Sequence, residues 1–493
     1  MSTRSLAPAL PRRHPETEGV NPAGISAFLA AVDRDLGGLH GFMLLRHGRV
    51  LAEGAWTPYA PELPHQLFSL TKSFASTAVG LAVAEGRLTV DTPVLALFPA
   101  QAPTRPGDNL LALRVRHLLT MTTGHHTDPT GAMTAAADGD WVRAFLAQPI
   151  EHEPGTYFVY NSGASHLLAA IVTALTGQDL REYLRPRLFE PLGIAEPAWE
   201  TCPRGVRIGG WGLSLRLEDI ARFGQLYLQR GQWRGRRLLP EAWIADATAR
   251  QVANGPRAER DWEQGYGYQF WRCQHGAFRG DGAFGQFCVV LPEQEAVIAM
   301  LAGTGIMQAV LDRVWEHLLP AFGPSPRAQA PAARRALKQA LAGLRLPVAV
   351  GSPTSELAPG LAGTTFRFAP NSRRLTALTF RELGADTCAL DLTDERGEHR
   401  LVAAHGRWLD ATTTLGGWRS SITPPDDRVI AAPVAGSYAW TSPDTLQLKL
   451  CFPLTPFCPT YTLRFAGDRL VLQQRASVAF GPPDSPELEG RRG

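Results

Sequence analysis

Hydrophobic and polar positions recur with different periods along the chain, and these periods predict where helices and strands lie. Apolar residues recur at helical spacing over residues 22–33, which predicts a helix. Two apolar runs with a polar turn between them occupy residues 41–56 and predict a β-hairpin. Further helices are predicted where small and apolar residues lead to a glycine, at residues 70–85, 163–176 and 217–231. Two apolar runs within residues 281–302 predict neighbouring sheet strands.

The pattern changes after residue 325. Residues 326–355 mix proline, alanine and glycine around a short predicted helix, which predicts a linker after a first domain of residues 1–325. Short strand-like segments then recur between turns, and this spacing is typical of a small antiparallel barrel or sandwich. We therefore predict a C-terminal antiparallel β domain over residues 356–482, with a lipocalin-like barrel as one form of it, and a disordered tail at residues 483–493.

Composition narrows the classes of function. The 493 residues carry 49 basic and 46 acidic side chains, a net charge of +3, so nucleic acid is not an expected partner. No apolar stretch reaches the ~20 residues that cross a bilayer, and the N-terminal segment lacks the apolar core of a signal peptide. The six cysteines form no C-x-x-C pair. We expect a cytoplasmic protein without metal or cofactor that acts on a small molecule, and a homodimer is one assembly open to it.

Ser69 and Lys72 form the pattern that points most directly to chemistry. Residues three apart share one face of a helix, so the hydroxyl and the amine can meet. A serine needs a neighbouring base to become a nucleophile, and a lysine is a base only when burial or a nearby cation lowers its pKa. The helix that follows is apolar enough to be buried, and backbone N–H groups at its N-terminus would favour developing negative charge.

The short S-x-x-K pattern also fits a partly exposed serine and a solvated lysine at the start of a helix. Two features favour the catalytic interpretation. Lysine is scarce in this chain, where arginine supplies most of the positive charge. A charged lysine on an apolar helix face is also costly unless it has a partner or a role.

Five blocks of sequence, in order, resemble the β-lactamase-related serine hydrolases, a family that includes class C β-lactamases, penicillin-binding proteins and esterases. The resemblance covers roughly residues 15–320. The blocks are PHQLFSLTKSFASTAVGLAVAEGRLTVDTPV (64–94), LRVRHLLTMTTGH (113–125), EPGTYFVYNSGASHLLAAIVTALTG (153–177), GLSLRLEDIARFGQLYLQRG (212–231) and RGDGAFGQFCVVLPEQEAVIAM (279–300).

The resemblance implies a fold and a set of roles. The fold is an α/β (α+β) sandwich of an antiparallel sheet flanked by helices, with an all-helical subdomain. Ser69 takes the place of the nucleophile and Lys72 that of its base. Tyr160 takes the place of the tyrosine that relays a proton to the leaving group, and a nearby ammonium group would lower its pKa. A core aromatic residue is the alternative interpretation of Tyr160.

Two motifs depart from the family pattern. The second motif has Asn161 and Ser162 after the tyrosine instead of the usual Tyr-x-Asn, so either side chain is a candidate to bind a substrate carbonyl or the Lys72 amine. The third motif has Asp281, Gly282 and Ala283 where Lys-Thr-Gly or His-x-Gly is usual. The two small residues suit a strand edge that a substrate approaches closely.

Three further residues near these motifs are weighed in the same way. The backbone N–H near Phe284 is expected to form the oxyanion hole together with that of Ser69. Tyr268, with Tyr266 beside it, is a candidate to line the substrate pocket, although core packing also explains it. His125 and its neighbour fit loop residues near the cleft better than metal ligands, because no matching acidic cluster accompanies them.

These residues predict a serine hydrolase that acts through an acyl-enzyme on an ester or amide of a neutral or cationic small substrate. Two alternatives remain open. A catalytically inactive member of the fold would bind peptides or cell-wall fragments. A D-amino-acid peptidase would use Asp281 to hold a free amino group.

A carboxylate at residue 281 predicts slow turnover of penicillin-type anions. The resemblance implies a cation at this position in β-lactamases, where it attracts the substrate carboxylate. Two unit charges ~4 Å apart interact by up to ~4 kcal/mol at an effective dielectric constant near ~20, and an anion reverses the sign. We expect a lower kcat/KM for nitrocefin than for neutral short-chain p-nitrophenyl esters, measured side by side. Faster turnover of nitrocefin would contradict this expectation.

Overall fold

An antiparallel sheet of six strands forms the centre of the first domain. The structure, a computed structural model, describes residues 8–256, 260–323, 330–416 and 430–493. In chain order the strands of this sheet are β1 (Gly41–Arg46), β2 (Arg49–Ala55), β3 (Trp271–Arg272), β4 (Phe278–Gly282), β5 (Gln286–Leu291) and β6 (Ala296–Leu301). They lie in the order β2-β1-β6-β5-β4-β3. The predicted hairpin and the predicted neighbouring strands are therefore confirmed.

Helices cover both faces of this sheet. The longer ones are α1 (Pro22–Leu36), α2 (Thr71–Ala84), α3 (Ser162–Thr176), α4 (Leu217–Leu228) and α5 (Ala330–Ala342). Successive side chains of a strand point to opposite faces. In β1, Phe42 therefore packs in the cluster that contains α1, whereas Met43 packs in the cluster that contains α2 and α4. Burial on both faces explains why β1 is a continuous apolar run.

Local signals set the ends of the helices. At α1, the Asn21 side chain accepts a hydrogen bond from the Ala23 amide, and Gly37 ends the helix with a φ of 74°. At α3, Asn161 caps the N-terminus and Gly177 ends the helix with a φ of 68°. The helices predicted from the sequence are thus confirmed, with bounds that differ by a few residues.

Short helices build the subdomain around α3. Seven of them lie between the sheet strands β2 and β3, before α4: Val94–Leu97, Asp108–Ala112, Val115–Leu119, Thr130–Thr134, Trp141–Leu146, Leu180–Leu184 and Glu190–Leu192. Their apolar side chains join those of α2 and α3 in one core. Further short helices lie at Glu241–Thr248, Met307–Arg313 and Ala358–Leu361. The expected sandwich with a helical subdomain is confirmed.

The expected linker spans residues 326–355, and the described part of it from residue 330 to Leu346 packs on the first domain. Leu337 of α5 is buried in the cluster that contains α1, and Arg334 forms an ion pair of 2.8 Å with Glu16. After the helix, the Leu346 amide donates a hydrogen bond of 2.9 Å to the Thr57 carbonyl. Apolar burial along one side of α5 therefore holds the connection against the sheet.

In the described parts of the C-terminal domain, residues 356–416 and 430–493, there are ten strands. They are β7 (Thr365–Phe368), β8 (Ala377–Leu383), β9 (Thr387–Asp394), β10 (Gly397–His405), β11 (Leu409–Thr413), β12 (Ala432–Ser442), β13 (Thr445–Cys451), β14 (Thr460–Ala466), β15 (Arg469–Arg475) and β16 (Leu488–Arg492). Nine of them close into a barrel in the order β10-β9-β8-β7-β16-β15-β14-β13-β12, because β10 also pairs with β12. Strand β11 pairs beside β12. The predicted antiparallel barrel is confirmed, although the closing pair of β10 and β12 is parallel.

The expectation of a disordered tail at residues 483–493 is wrong. Strand β16 lies between β7 and β15 and pairs with both, so the barrel domain extends beyond residue 482. The sequence misled because this segment is rich in charged residues and proline, whereas the strand needs only alternate apolar or small positions that face the interior. Leu488 fills one of these positions and is 8% exposed.

Within the described ranges, no helix combines the length and the apolar character that crossing a membrane requires.

Replacing Leu488 by alanine tests whether β16 closes the barrel. Removal of a buried leucine side chain typically costs ~2–5 kcal/mol. We expect Leu488→Ala to lower the free energy of unfolding of the barrel by about 2 kcal/mol in urea titrations followed by fluorescence. Leu357→Ala is the matched control, because Leu357 is 41% exposed. Equal stability of the two variants would contradict a structural role for β16.

Candidate active site

Ser69 lies where a short 3₁₀ helix, Phe68–Leu70, leads into α2. Its two neighbours are buried, and Ser69 itself is half-buried, so its hydroxyl reaches the cavity described below. Phe68 has a φ of 48°, in the left-handed region that residues with side chains rarely adopt. Strain of this kind is concentrated at functional sites, where the surrounding structure holds the backbone in place.

The Lys72 amine contacts three oxygen atoms and little water, because the side chain is 1% exposed. Nζ lies 3.0 Å from Ser69 Oγ, 3.0 Å from Ser162 Oγ and 2.7 Å from the Gly210 carbonyl oxygen. Burial disfavours the charged form and lowers the pKa of Lys72 to about 7, although Asp128 and Asp281 act in the opposite direction. Near neutral pH, much of this lysine is therefore a free amine.

The three contacts match the valence of a neutral amine. Such an amine has two N–H bonds and one lone pair. The Gly210 carbonyl can only accept, so it takes one N–H, and the Ser162 hydroxyl can take the other. The lone pair is then left for the Ser69 O–H. A neutral Lys72 can therefore act as the base that the serine needs.

Tyr160 precedes α3, and its side chain lines the same cavity as Ser69. Its ring lies over the Lys72 amine at 4.9 Å and stacks on Trp271 with centroids 5.4 Å apart. Burial raises the pKa of Tyr160, and the nearby Asp281 adds to this effect. The expectation that Lys72 lowers this pKa is therefore wrong. Tyr160 is a neutral phenol, which can both accept and donate a proton.

Of the two candidates in the second motif, Ser162 reaches the site and Asn161 does not. Ser162 bonds to Lys72 and lines the cavity. The Asn161 side chain caps α3 through the Ala164 amide at 2.9 Å and donates to Thr123 at 3.1 Å. It is fully buried. A role for Asn161 in substrate binding is therefore wrong, because both ends of its buried amide group are already engaged, one by the Ala164 amide and the other by the Thr123 hydroxyl.

Asp281 lines the cavity, but its charge is not isolated. Arg279 lies two positions earlier on β4 and therefore on the same face. Its Nε donates to the Asp281 carboxylate at 2.9 Å, and its side chain is 0% exposed. The guanidinium group also lies 4.1 Å from the centre of the Trp262 ring. The assumption of a single uncompensated anion at this position is therefore wrong.

The small residues of the third motif serve different contacts. A Cβ on Gly282 would lie 2.0 Å from the Leu67 carbonyl oxygen and 3.1 Å from the Ser69 nitrogen. Glycine is thus required for packing against the backbone before Ser69, rather than for approach of a substrate. Ala283 lines the cavity. The Phe284 side chain is buried against Phe68 and has a φ of 68°.

A cavity of about 790 Å³ opens beside Ser69. Ten of its lining residues bear on the argument: Ser69, Asp128, Tyr160, Ser162, Trp211, Trp262, Trp271, Asp281, Ile306 and Phe480. The Tyr268 prediction is wrong in this respect. Its ring packs against Trp243 with centroids 5.4 Å apart and does not line the cavity. Core packing, the alternative interpretation, explains it.

Sequence reasoning missed several of these lining residues. Asp128 lies three positions after the second block that resembles the family (113–125), and this closeness could have marked it as a candidate. Arg279 could have been paired with Asp281 from the two-residue period of a strand. Trp262, Trp271 and Phe480 carried no such signal, because they lie outside the motifs and reach the cavity only through the tertiary fold.

The arrangement of serine, buried amine and phenol agrees with the comparisons with known proteins. Residues 32–313 match the family model described as Beta-lactamase. The chain belongs to this family, as the resemblance of its sequence blocks predicted.

Curated relatives in the family have hydrolase and penicillin-binding names. The 6-aminohexanoate-dimer hydrolase of Paenarthrobacter ureafaciens is 26% identical over 53% of this chain and 71% of its own length. Penicillin-binding protein 4 of Amycolatopsis lactamdurans is 25% identical over 55% of this chain and 80% of its own length. Esterase EstB of Burkholderia gladioli is 29% identical over 32% of this chain and 44% of its own length. Family and relatives support a hydrolase.

A solved structure supports the fold. The structure described as "Putative 6-aminohexanoate-dimer hydrolase from Bacillus anthracis" superposes with a TM-score of 0.51 and 21% identity. The match covers 64% of this chain and 87% of that chain.

The rate of ester hydrolysis is expected to depend on the protonation of Lys72. If the free amine acts as the base, with a pKa of about 7, kcat/KM should fall as the pH decreases through this value and level off above it. Profiles measured with a neutral p-nitrophenyl ester, corrected for spontaneous hydrolysis, test this. Lys72→Arg should lower kcat/KM by ~10²–10⁴-fold, since arginine stays protonated.

Lys338→Arg is the matched control, because Lys338 lies on the exposed side of α5. It should keep both the rate and the shape of the profile. A profile that stays flat between pH 5 and 9 in the unaltered chain would contradict the role of Lys72 as the base.

Proposed function

We propose that this chain is a serine hydrolase that cleaves an ester or amide of a neutral or cationic small substrate through an acyl-enzyme. One observation carries the proposal, namely the Lys72 amine, which is 1% exposed and lies 3.0 Å from the Ser69 hydroxyl. The Tyr160 ring supports it, because this ring lies 4.9 Å from the Lys72 amine and lines the same cavity as Ser69. Amide and ester hydrolases among the relatives support the same class of reaction.

In the first step, Ser69 Oγ attacks the substrate carbonyl while its proton passes to the Lys72 lone pair. The negative charge on the carbonyl oxygen is stabilised by the backbone N–H groups of Ser69 and Phe284. As the tetrahedral intermediate collapses, Tyr160 gives its phenol proton to the leaving group and regains one from the Lys72 ammonium. The products of this step are the Ser69 ester of the acyl group and a neutral alcohol or amine.

In the second step, water takes the place of the leaving group. Lys72, neutral again, accepts a proton from the water through Tyr160, and the hydroxide attacks the acyl carbon. The intermediate then expels Ser69 Oγ, which regains a proton from Lys72. The neutral form of Tyr160 suits this relay, because a phenol donates one proton while it accepts another.

The charge around the cavity supports a neutral or cationic substrate. Among the described residues that line it, Asp128 and Asp281 carry charge, and both are acids. Asp281 is compensated by Arg279, so Asp128 is the carboxylate with charge to offer. It is exposed, and one of its oxygens accepts hydrogen bonds from Thr130. Three tryptophan rings line the same cavity and would also favour an ammonium group.

The Asp128 carboxylate also supports a second candidate function, that of a D-amino-acid peptidase. Asp281, first considered as the partner of a free amino group, is engaged by Arg279. Asp128 would take that role instead, because it lines the cavity and is not matched by a basic side chain among the described lining residues. Turnover of D-alanine amide compared with that of acyl esters separates the two activities.

A cytoplasmic location is part of the proposal. The six cysteines are free thiols, which fits a reducing compartment.

Covalent labelling tests the central claim. A fluorophosphonate probe should label the unaltered chain, and Ser69→Ala should abolish this labelling, because the nucleophile forms the adduct. Ser26→Ala is the matched control, since Ser26 lies on α1 and donates only to the Pro22 carbonyl. Labelling is measured by gel fluorescence, with mass spectrometry of the modified peptide.

Labelling of Ser69→Ala at the level of the unaltered chain would contradict the assignment of the nucleophile. Absence of labelling in all variants would favour the alternative of a catalytically inactive member that binds its ligand.

A further inference from the structure

The barrel supplies one wall of the active-site cavity. Phe480 lies in the connection between β15 and β16 and lines the cavity together with Ser69. Its ring centroid lies 4.8 Å from that of Phe284 and 6.0 Å from that of Phe68, the residue before the nucleophile. An aromatic side chain from the C-terminal domain is therefore next to the reacting centre.

The connection that carries Phe480 is held in place on both sides. Val478 is 6% exposed and packs in a cluster with Phe68, Phe284 and Phe457. The Ala476 amide donates to the Pro483 carbonyl at 2.8 Å, which closes the base of the loop. Phe480 therefore lies on a loop that is itself packed on one side, and this packing fixes the position of Phe480.

A second barrel loop fixes the domain against the nucleophile. The connection between β13 and β14 accepts a hydrogen bond of 2.9 Å from the Gln66 amide at the Leu454 carbonyl. The Tyr59 hydroxyl donates to the Thr455 carbonyl of the same loop at 2.8 Å. Gln66 lies three residues before Ser69, so a backbone hydrogen bond joins the barrel to the segment that leads into Ser69.

Phe480 leaves much of its ring in the cavity. It is 57% exposed, and Ile306, which lines the same cavity, is 58% exposed. Large apolar side chains that stay exposed in a concave site mark surfaces that bind apolar groups. Ile306 also lies close to Phe284 in the fold. The Thr304 amide donates to the Phe284 carbonyl, and the Ile306 amide donates to the Thr304 hydroxyl.

Phe480 and Tyr160 pack against different neighbours beside Ser69. Phe480 contacts Phe68 and Phe284, whereas Tyr160 packs with Tyr266 and Trp271 in a separate cluster. Since Tyr160 protonates the leaving group in the proposed mechanism, the leaving group belongs on its side. The acyl group then lies toward Phe480.

We propose that Phe480 and Ile306 form an acyl-binding subsite that selects substrates with an extended aliphatic or aromatic acyl group. The inference rests on the proposed function, because it assigns one side of the same cavity to the acyl chain. It makes the barrel a determinant of specificity, through a single side chain that lies far from Ser69 in the sequence.

The chain-length dependence of hydrolysis tests the subsite. We expect a higher kcat/KM for p-nitrophenyl hexanoate than for the acetate in the unaltered chain. Phe480→Ala should reduce this ratio about fivefold, because the extra methylene groups lose part of their apolar contact. Phe480→Leu should retain most of the ratio. Leu357→Ala is the matched control, since Leu357 is an exposed apolar residue that does not line the cavity.

A binding measurement makes the test independent of turnover. Three tryptophans line the cavity, so their fluorescence reports binding of hexanamide and propanamide to the Ser69→Ala variant. Adding Phe480→Ala should reduce the ratio of the two dissociation constants about fivefold. An unchanged ratio in both measurements, or an equal change in Leu357→Ala, would overturn the subsite. If the unaltered chain hydrolyses neither ester but the ratio of dissociation constants still falls with Phe480→Ala, the proposed reaction is wrong and the subsite is not.

Discussion

A primary amine enclosed by protein is the feature on which the rest of the site depends. Burial of Lys72 favours its neutral form and lowers its pKa to about 7. Between that pH and the ordinary value of 10.5, the unfolded chain holds a proton on this amine that the folded chain has released. The amine therefore opposes folding, and its opposition decreases as the pH increases through this interval. The apolar core around α2 has to offset this cost.

Around this amine, the fold uses different elements to supply each partner. Helix α2 carries Lys72 one turn after Ser69, and the capped start of α3 brings Ser162. Trp262, before β3, and Trp271, on β3, add aromatic rings to the cavity. Asn161 and Ser162 make different contacts, because Asn161 caps the backbone of α3 whereas Ser162 contacts the Lys72 amine. Arg279 and Asp281 form an ion pair next to these aromatic rings, so the pair adds no net charge there.

Much of the fold and part of the site could be predicted from the sequence. The spacing of Ser69 and Lys72 is local, so a helix is enough to bring them together, and the resemblance of the sequence blocks located Tyr160. The choice between Asn161 and Ser162 could not be made, because it depends on which side chain caps the helix. The pKa of Tyr160 depends on burial, which no local pattern shows. Phe480 lies beyond any motif and reaches Ser69 only because the barrel docks there.

The order of strands has a consequence for how the protein matures during translation. Strand β1 pairs with β6, and β16 enters the barrel between β7 and β15. Contacts between such distant segments form late, because the chain between them must be made first. The nucleophile and its amine can assemble as soon as the central sheet is complete, while the barrel is still being synthesised. A nascent chain would thus pass through a stage in which Ser69 and Lys72 are in place before the barrel residue that we propose selects the acyl group.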